Sequence, residues 1–302
     1  MDITALANAI KEEKIEYLID CPMSLYTSFK IGGPADIMIK PHGEEELMRT
    51  LSLCREFSVP FFVLGKGSNL LISDKGIDGA VINISSGFDD IKLLDETTVE
   101  CGAGASLSAL CSFCLAHGLS GLEFAYGIPG SVGGAVYMNA GAYGGEIKNV
   151  IASASYLTSD LQKCVANADD LDLGYRRSRF CKKEDVILSA TFKLIPDKAE
   201  DIRARMDDFI TRRKAKQPLS FPSAGSTFKR PTGYYAGALI EQGDLKGYSV
   251  GGAEVSEKHA GFVINKGGAT CDDVTALMAH IVKTVYDKFG VTLEPEIIKI
   301  GR

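Results

Sequence analysis

Short apolar segments with alternating helical and strand periodicity run along most of the chain. Residues 3–19 space their apolar positions at helical intervals among Lys11, Glu12, Glu13, Lys14 and Glu16, predicting a helix acidic on one side. Ile31-Gly32-Gly33-Pro34 predicts a turn. A strand over 36–40 follows, then a helix over 44–57 with Leu47, Leu51 and Cys54 on one face, and a buried strand over 61–64. Further strands are predicted at 81–84, 91–94 and 97–101, with a helix over 106–117. Beyond a strand at 186–194 closed by Pro196, a charged helix over 197–216 turns Ile202, Met206, Phe209 and Ile210 inward. Its terminal bases Arg212, Arg213, Lys214 and Lys216 read as helix-dipole partners on a solvated face. The most regular helix spans 272–289, with Val274, Leu277, Met278, Ile281, Val282, Val285 and Phe289 on one stripe and Gly290 as its stop. The tail over 291–300 predicts a strand of the kind that returns to an early part of the chain. The whole reads as α+β.

Composition narrows the function classes. At 302 residues, 45% hydrophobic and 24% charged, the chain is long enough for about two folded domains with a cleft between them. The net charge of −6 argues against nucleic acid and anionic lipid as partners. The first twenty residues carry no apolar run of a signal peptide, which predicts a cytoplasmic protein. Charge-poor stretches flank Glu123, but eleven glycines and Pro129 break them, so no membrane span is expected. Eight cysteines lack framework spacing and read as reduced thiols; Cys111 and Cys114 fall on one helix face, which favours packing over redox chemistry. His42, His117, His259 and His280 stand far apart, and no metal site can be read.

Three segments carry candidate chemistry. The strand at 61–64 runs into Gly65, Gly67, Ser68 and Asn69, where successive N–H groups can converge on an anion; a plain tight turn explains the same residues. This run matches neither the P-loop nor the dinucleotide pattern. Residues 101–145 hold eleven of the 32 glycines and a single formal charge, Glu123. A surface loop would be more polar and a core element poorer in glycine. Backbone pressed against a large flat cofactor with a pyrophosphate tail accounts for both features. The third segment, 222–231, places Ser223, Ser226, Thr227, Lys229 and Arg230 together, a set suited to an anionic substrate. No nucleophile elbow surrounds Ser226.

Seven segments in order resemble the UDP-N-acetylenolpyruvoylglucosamine reductase (MurB) family. They are Thr27-Ser-Phe-Lys-Ile-Gly-Gly-Pro-Ala-Asp36, Leu64-Gly-Lys-Gly-Ser-Asn69, the Gly-Ile-Pro-Gly-Ser-Val-Gly-Gly run from Gly127, Asn139-Ala-Gly-Ala-Tyr-Gly144, Tyr175-Arg176-Arg177-Ser178, residues 222–231, and Leu293-Glu-Pro-Glu296. The resemblance implies an FAD-binding region over 1–195, whose vanillyl-alcohol-oxidase (PCMH) type domain covers about 29–195. A C-terminal α+β substrate domain over 196–302 follows, with 291–302 returning to the N-terminal part. NADPH is the implied hydride donor, and an enolpyruvyl ether of UDP-N-acetylglucosamine the acceptor, in peptidoglycan precursor synthesis and hence in cell shape and division.

Carried over residue by residue, the FAD contacts are Gly65, Gly67, Ser68, Asn69, Gly127, Ile128, Pro129, Gly130 and Ser131, and the nucleotide-sugar contacts Tyr143, Lys216 and Arg230. The implied catalytic set is Arg176, Ser226 and Glu296. Hydride addition to the vinyl carbon leaves negative charge that a guanidinium stabilises, and the neighbouring carbon needs a proton. Arg176 supplies the first and Ser226 the second, Lys229 lies close enough in sequence to steady the resulting alkoxide, and Glu296 is protonated or orients the intermediate. No histidine lies in the glycine segments, so FAD is expected to be dissociable. The 49-residue step from Tyr175 to Ala224 leaves little room for the tyrosine-bearing insertion of the family's longer subtype, and implies the shorter one. The residues alone leave open an FAD oxidase acting on another small substrate, or a non-catalytic flavin- or nucleotide-binding module.

Overall fold

From Pro34 onward short strands cut by Gly and Pro are interspersed with amphipathic helices, two of which start at side-chain caps, Ser106 and Thr270. The computed structural model describes residues 1–182 and 184–302. The chain divides into two units, one of residues 1–18, 37–66 and 79–213, the other of residues 19–36, 67–78 and 214–302.

The first unit is built on a five-stranded antiparallel sheet in the order Lys163–Asn167, Ile151–Leu157, Val186–Lys193, Thr98–Gly102, Ile91–Asp95. Val99, Cys101, Ala190 and Phe192 point into its core beside the helix Leu107–Ala116. That helix is capped by Ser106, whose side chain accepts from Ala109 N, and buries both Cys111 and Cys114. Burial pushes the Cys114 thiol up to about 12, while the Cys111 Sγ donates to Leu122 O at 3.2 Å. These thiols pack rather than react. A parallel pair, Phe61–Leu64 against Ile77–Asn83, aligns Leu64 with Asn83 and so fixes where the chain leaves the sheet at Gly65.

In the second unit a three-stranded sheet, Ser249–Val250, Ala253–Val255 and Val263–Asn265, packs with the helices Ala236–Gln242 and Cys271–Phe289. The long helix starts at a capping box between Thr270 and Asp273, is capped again by the Asp74 carboxylate on Cys271 N and Asp272 N, and stops at left-handed Gly290. Ile298–Ile300 pairs in parallel with Leu70–Ile72.

Several sequence expectations need correction. The first helix covers only Ile3–Glu12, and Glu16–Pro22 is a strand. Lys14 takes the left-handed region, Ile15 N returns to Ile10 O at 3.2 Å, and buried Ile15 closes the end against Leu6 and Ile10. The tail pairs with Leu70–Ile72 only over Ile298–Ile300, because residues 294–296 are engaged instead with 227–229, through Lys229 N to Glu294 O and Glu296 N to Thr227 O. Arg213, expected on a solvated face, is 6% exposed.

Candidate active site

In the first unit the two glycine-rich segments meet. A Cβ added at Gly65 would collide with Ser131 Oγ, so only glycine admits this approach. Ser131 caps the short helix Val132–Tyr137 and accepts from Gly134 N at 3.3 Å, while Val132 N and Gly133 N donate to Ala105 O and Ala103 O. The first turn of that helix is therefore satisfied from within. Residues 65–69 behave differently: among the described residues, none of their amide N–H groups donates to a protein acceptor, although Gly67 is buried and the others, Lys66 apart, are partly buried. Consecutive unspent donors in a turn are the donor set for a pyrophosphate.

Upstream of Ser131, Gly127 has φ +82°, and a Cβ there would stand 2.5 Å from Ile210 Cδ1 on the helix Ala199–Lys216. The chain is steered into that position by Glu123, 7% exposed, which accepts from Ser120 Oγ and Gly121 N at 2.8 Å each and from Arg205 on the same helix at 2.8 Å. Burial raises the Glu123 pKa, but the backbone and side-chain donors outweigh it and the carboxyl is held below its ordinary value. Ile128 is partly buried, Pro129 is exposed, and Gly130 O accepts from Leu107 N.

Arg176 occupies a tight turn in which Gly174 and Arg177 exchange backbone hydrogen bonds at 3.0 and 3.2 Å. Its φ is +52° and its guanidinium lies 5.2 Å from the Tyr175 ring centroid. Asn139, 1% exposed, pins the turn by donating to Gly174 O at 2.9 Å while also donating to Glu146 and accepting from Lys148 N. Ser178 Oγ donates to Tyr137 O at 2.7 Å on the other side. The segments at 139–144 and 175–178 are thus one construction.

Tyr143 stacks on Phe209 at 4.8 Å with 6° between the rings, and the Arg213 guanidinium sits 5.6 Å from the Tyr143 ring. Burial lowers the Arg213 pKa, with Tyr143 opposing. Arg213 lies between Gly127 and Tyr143: its Cδ would lie 3.5 Å from a Gly127 Cβ, so the absent side chain leaves it room, and its guanidinium faces the Tyr143 ring. Lys216 is exposed.

The second unit joins Ser226 to Glu296. Glu296 N donates to Thr227 O at 2.9 Å, Lys229 N donates to Glu294 O at 2.8 Å, and Phe228 bridges Pro295, so the two segments form a short antiparallel pair. Asn69 holds the same strand, donating through Nδ2 to Glu296 O at 3.1 Å and accepting from Ile298 N at 3.0 Å. Buried Thr227 anchors the pair by accepting from Val263 N at 2.9 Å, and Ser28 ties Gly67 O to Ser223 O. Ser226 itself is exposed and Glu296 partly buried. Lys229 reaches Glu294 at 3.4 Å, so a carboxylate already faces its charge. Arg230 lies 3.8 Å above the Tyr235 ring.

Residues 217–300 match the C-terminal domain of UDP-N-acetylenolpyruvoylglucosamine reductase, and residues 35–160 match an FAD binding domain. A Clostridium perfringens protein named UDP-N-acetylenolpyruvoylglucosamine reductase is 50% identical over 288 residues, 94% of this chain and 93% of that one. A Caldanaerobacter subterraneus protein of the same name is 48% identical over 99% of this chain and 98% of its own. The chain belongs to the UDP-N-acetylenolpyruvoylglucosamine reductase family. The crystal structure of the Thermus caldophilus family member (MurB) superposes with a TM-score of 0.81 at 34% identity, covering 94% of this chain and 98% of that chain. The fold is α+β, with an FAD binding domain followed by the family's C-terminal domain.

In this member of the MurB family, the donors of 65–69 and the glycine approach at Gly65 fit FAD. Sequence reasoning missed Arg213 as a buried cation, Asn139 as the pin of the Arg176 turn, and the Glu123–Arg205 pair. A signal existed for the last: a lone acid in an otherwise uncharged stretch needs a partner. Among the described residues no group of three or more His, Cys, Asp or Glu could hold a metal ion, and no helix is long and apolar enough to cross a membrane.

Proposed function

We propose that this chain reduces the enolpyruvyl ether of UDP-N-acetylglucosamine to UDP-N-acetylmuramate at the expense of NADPH, in the cytoplasm, for peptidoglycan precursor synthesis. FAD, held without a covalent bond, would supply hydride transfer from NADPH to the substrate. Residues 65–69 would hold its pyrophosphate through backbone N–H groups, and residues 127–131 would support it from the Gly65–Ser131 contact. Arg176 presents a planar guanidinium to the substrate carboxylate, where charge grows as the double bond is reduced. Ser226 delivers its hydroxyl proton to the adjacent carbon, and Glu296 orients that step from the neighbouring strand. Tyr143, Lys216 and Arg230 bind the nucleotide sugar, with Lys229 beside them. The balance is one hydride and one proton added across the carbon–carbon double bond.

The observation that supports the chemical assignment is the 2.9 Å bond from Glu296 N to Thr227 O, which pairs the strand carrying Glu296 with the segment that follows Ser226. The test uses purified protein under anaerobic conditions. A yellow spectrum should bleach with NADPH and return on adding the enolpyruvyl sugar alone. Return only with oxygen would assign an oxidase, and protein free of flavin after reconstitution would remove the enzyme reading.

A further inference from the structure

The helix Cys271–Phe289 has a wider apolar stripe than its core requires. Val274, Leu277, Ile281 and Val285 are buried and already fill one face. Met278 and Val282 belong to the adjoining stripe and are only partly covered. They form one wall of a groove of about 570 Å³, within the range of small-ligand sites. Phe228 and Pro295, the bridged residues of the Ser226–Glu296 pair, and Ile297 also line it. The lining is mostly apolar, and its polar members are Thr275, Lys283, Tyr286, Thr292 and Lys299.

The lining charge is uneven. Lys283 is matched by Asp287 at 2.5 Å. Lys299 donates to Thr275 Oγ1 at 3.2 Å and, among the described residues, forms no ion pair. An apolar trough whose lining includes an ammonium without an ion-pair partner among the described residues, bonded to a threonine hydroxyl, is complementary to a molecule with an apolar body and one negative head.

We propose that this groove is a second ligand site, separate from the nucleotide-sugar site, which takes a medium-chain carboxylate with its tail against Met278, Val282 and Phe228 and its head on Lys299. Phe228 and Pro295, which the tail touches, are the bridged residues of the pair that carries Ser226 and Glu296. An occupant that binds one arrangement of that pair better than another shifts the pair and, reciprocally, substrate affinity. This coupling rests on the catalytic reading above; the binding does not.

Calorimetric titration of flavin-loaded protein with decanoate tests it, alongside decanol and three variants at two positions outside the catalytic set. Saturable one-to-one binding of decanoate should weaken at least about tenfold in Ala279→Trp, which fills the groove, and about three- to tenfold in Lys299→Met. Lys299→Arg should retain it, and decanol should bind as weakly to wild type as decanoate does to Lys299→Met. Saturating decanoate should change the apparent KM for the enolpyruvyl substrate at least twofold in wild type and leave it unchanged in Ala279→Trp. Absent or non-saturable binding, or equal affinity in Ala279→Trp of unaltered thermal stability, overturns the site. Intact binding with an unmoved KM overturns the coupling. Should the protein not turn over the substrate at all, the functional reading fails, while the titration still decides the groove.

Discussion

Gly65 faces the hydroxyl of Ser131 so closely that a single added carbon on Gly65 would occupy the space of that oxygen. Two glycine-rich segments separated by more than sixty residues are brought into register by this contact, at the end of the strand Phe61–Leu64 and the start of the helix Val132–Tyr137. Gly65→Ala should therefore purify with much reduced flavin, read from the ratio of visible to ultraviolet absorbance. Ser131→Gly in the same chain removes the obstructing hydroxymethyl group and should restore part of the flavin. Full flavin in Gly65→Ala would show that the two segments can separate without loss of cofactor.

Arg176 separates function from stability. Its left-handed backbone costs an arginine about 1 kcal/mol that glycine does not pay. Arg176→Gly should keep or slightly raise the thermal midpoint while losing turnover, and Arg176→Lys should fail to rescue it, since an ammonium lacks the planar fork. Wild-type turnover in either variant would remove Arg176 from the reaction.

Glu123 gives a pH signature. Its carboxyl is held below its ordinary value when folded, so the stabilisation is complete above the usual carboxylate range and disappears as pH falls through the lowered value. Near neutral pH, Glu123→Gln should cost about 1.5–3 kcal/mol, the usual worth of charged hydrogen bonds. Thermal midpoints of the two proteins should converge on acidification from about pH 5 toward pH 3, below the ordinary carboxylate pKa of about 4.3. A gap that stays constant over that range would mean the loss is packing rather than charge.

Much of the fold was legible because amphipathic periodicity survives in isolation. The helix Cys271–Phe289, with its capping residues and terminal glycine, and the strand Phe61–Leu64 stand where their patterns place them. The strand Ile151–Leu157 was not legible: Ala and Ser at 152–155 give little contrast between faces, and its role comes from pairing on both sides. The site was legible only through co-ordered motifs. Nothing local in Asn139 announces that its amide fixes a turn at Gly174, and Arg213 sits in a run of bases whose other members are exposed. Burial of one cation among four is decided by Gly127 and Tyr143, far away in sequence.

The central claim is that Ser226 supplies a proton to substrate carbon, and Ser226→Ala followed by stopped flow tests it most directly. Reduction by NADPH needs no acid from this residue, so flavin bleaching should run at close to the wild-type rate. Reoxidation by the enolpyruvyl substrate should slow by about 10²- to 10⁴-fold, the usual worth of a positioned general acid. That is about 3 to 5 kcal/mol at 1.36 kcal/mol per decade. Substrate affinity should change little, because one small atom is removed. Slow bleaching with normal reoxidation would place Ser226 in the nicotinamide step and contradict the mechanism.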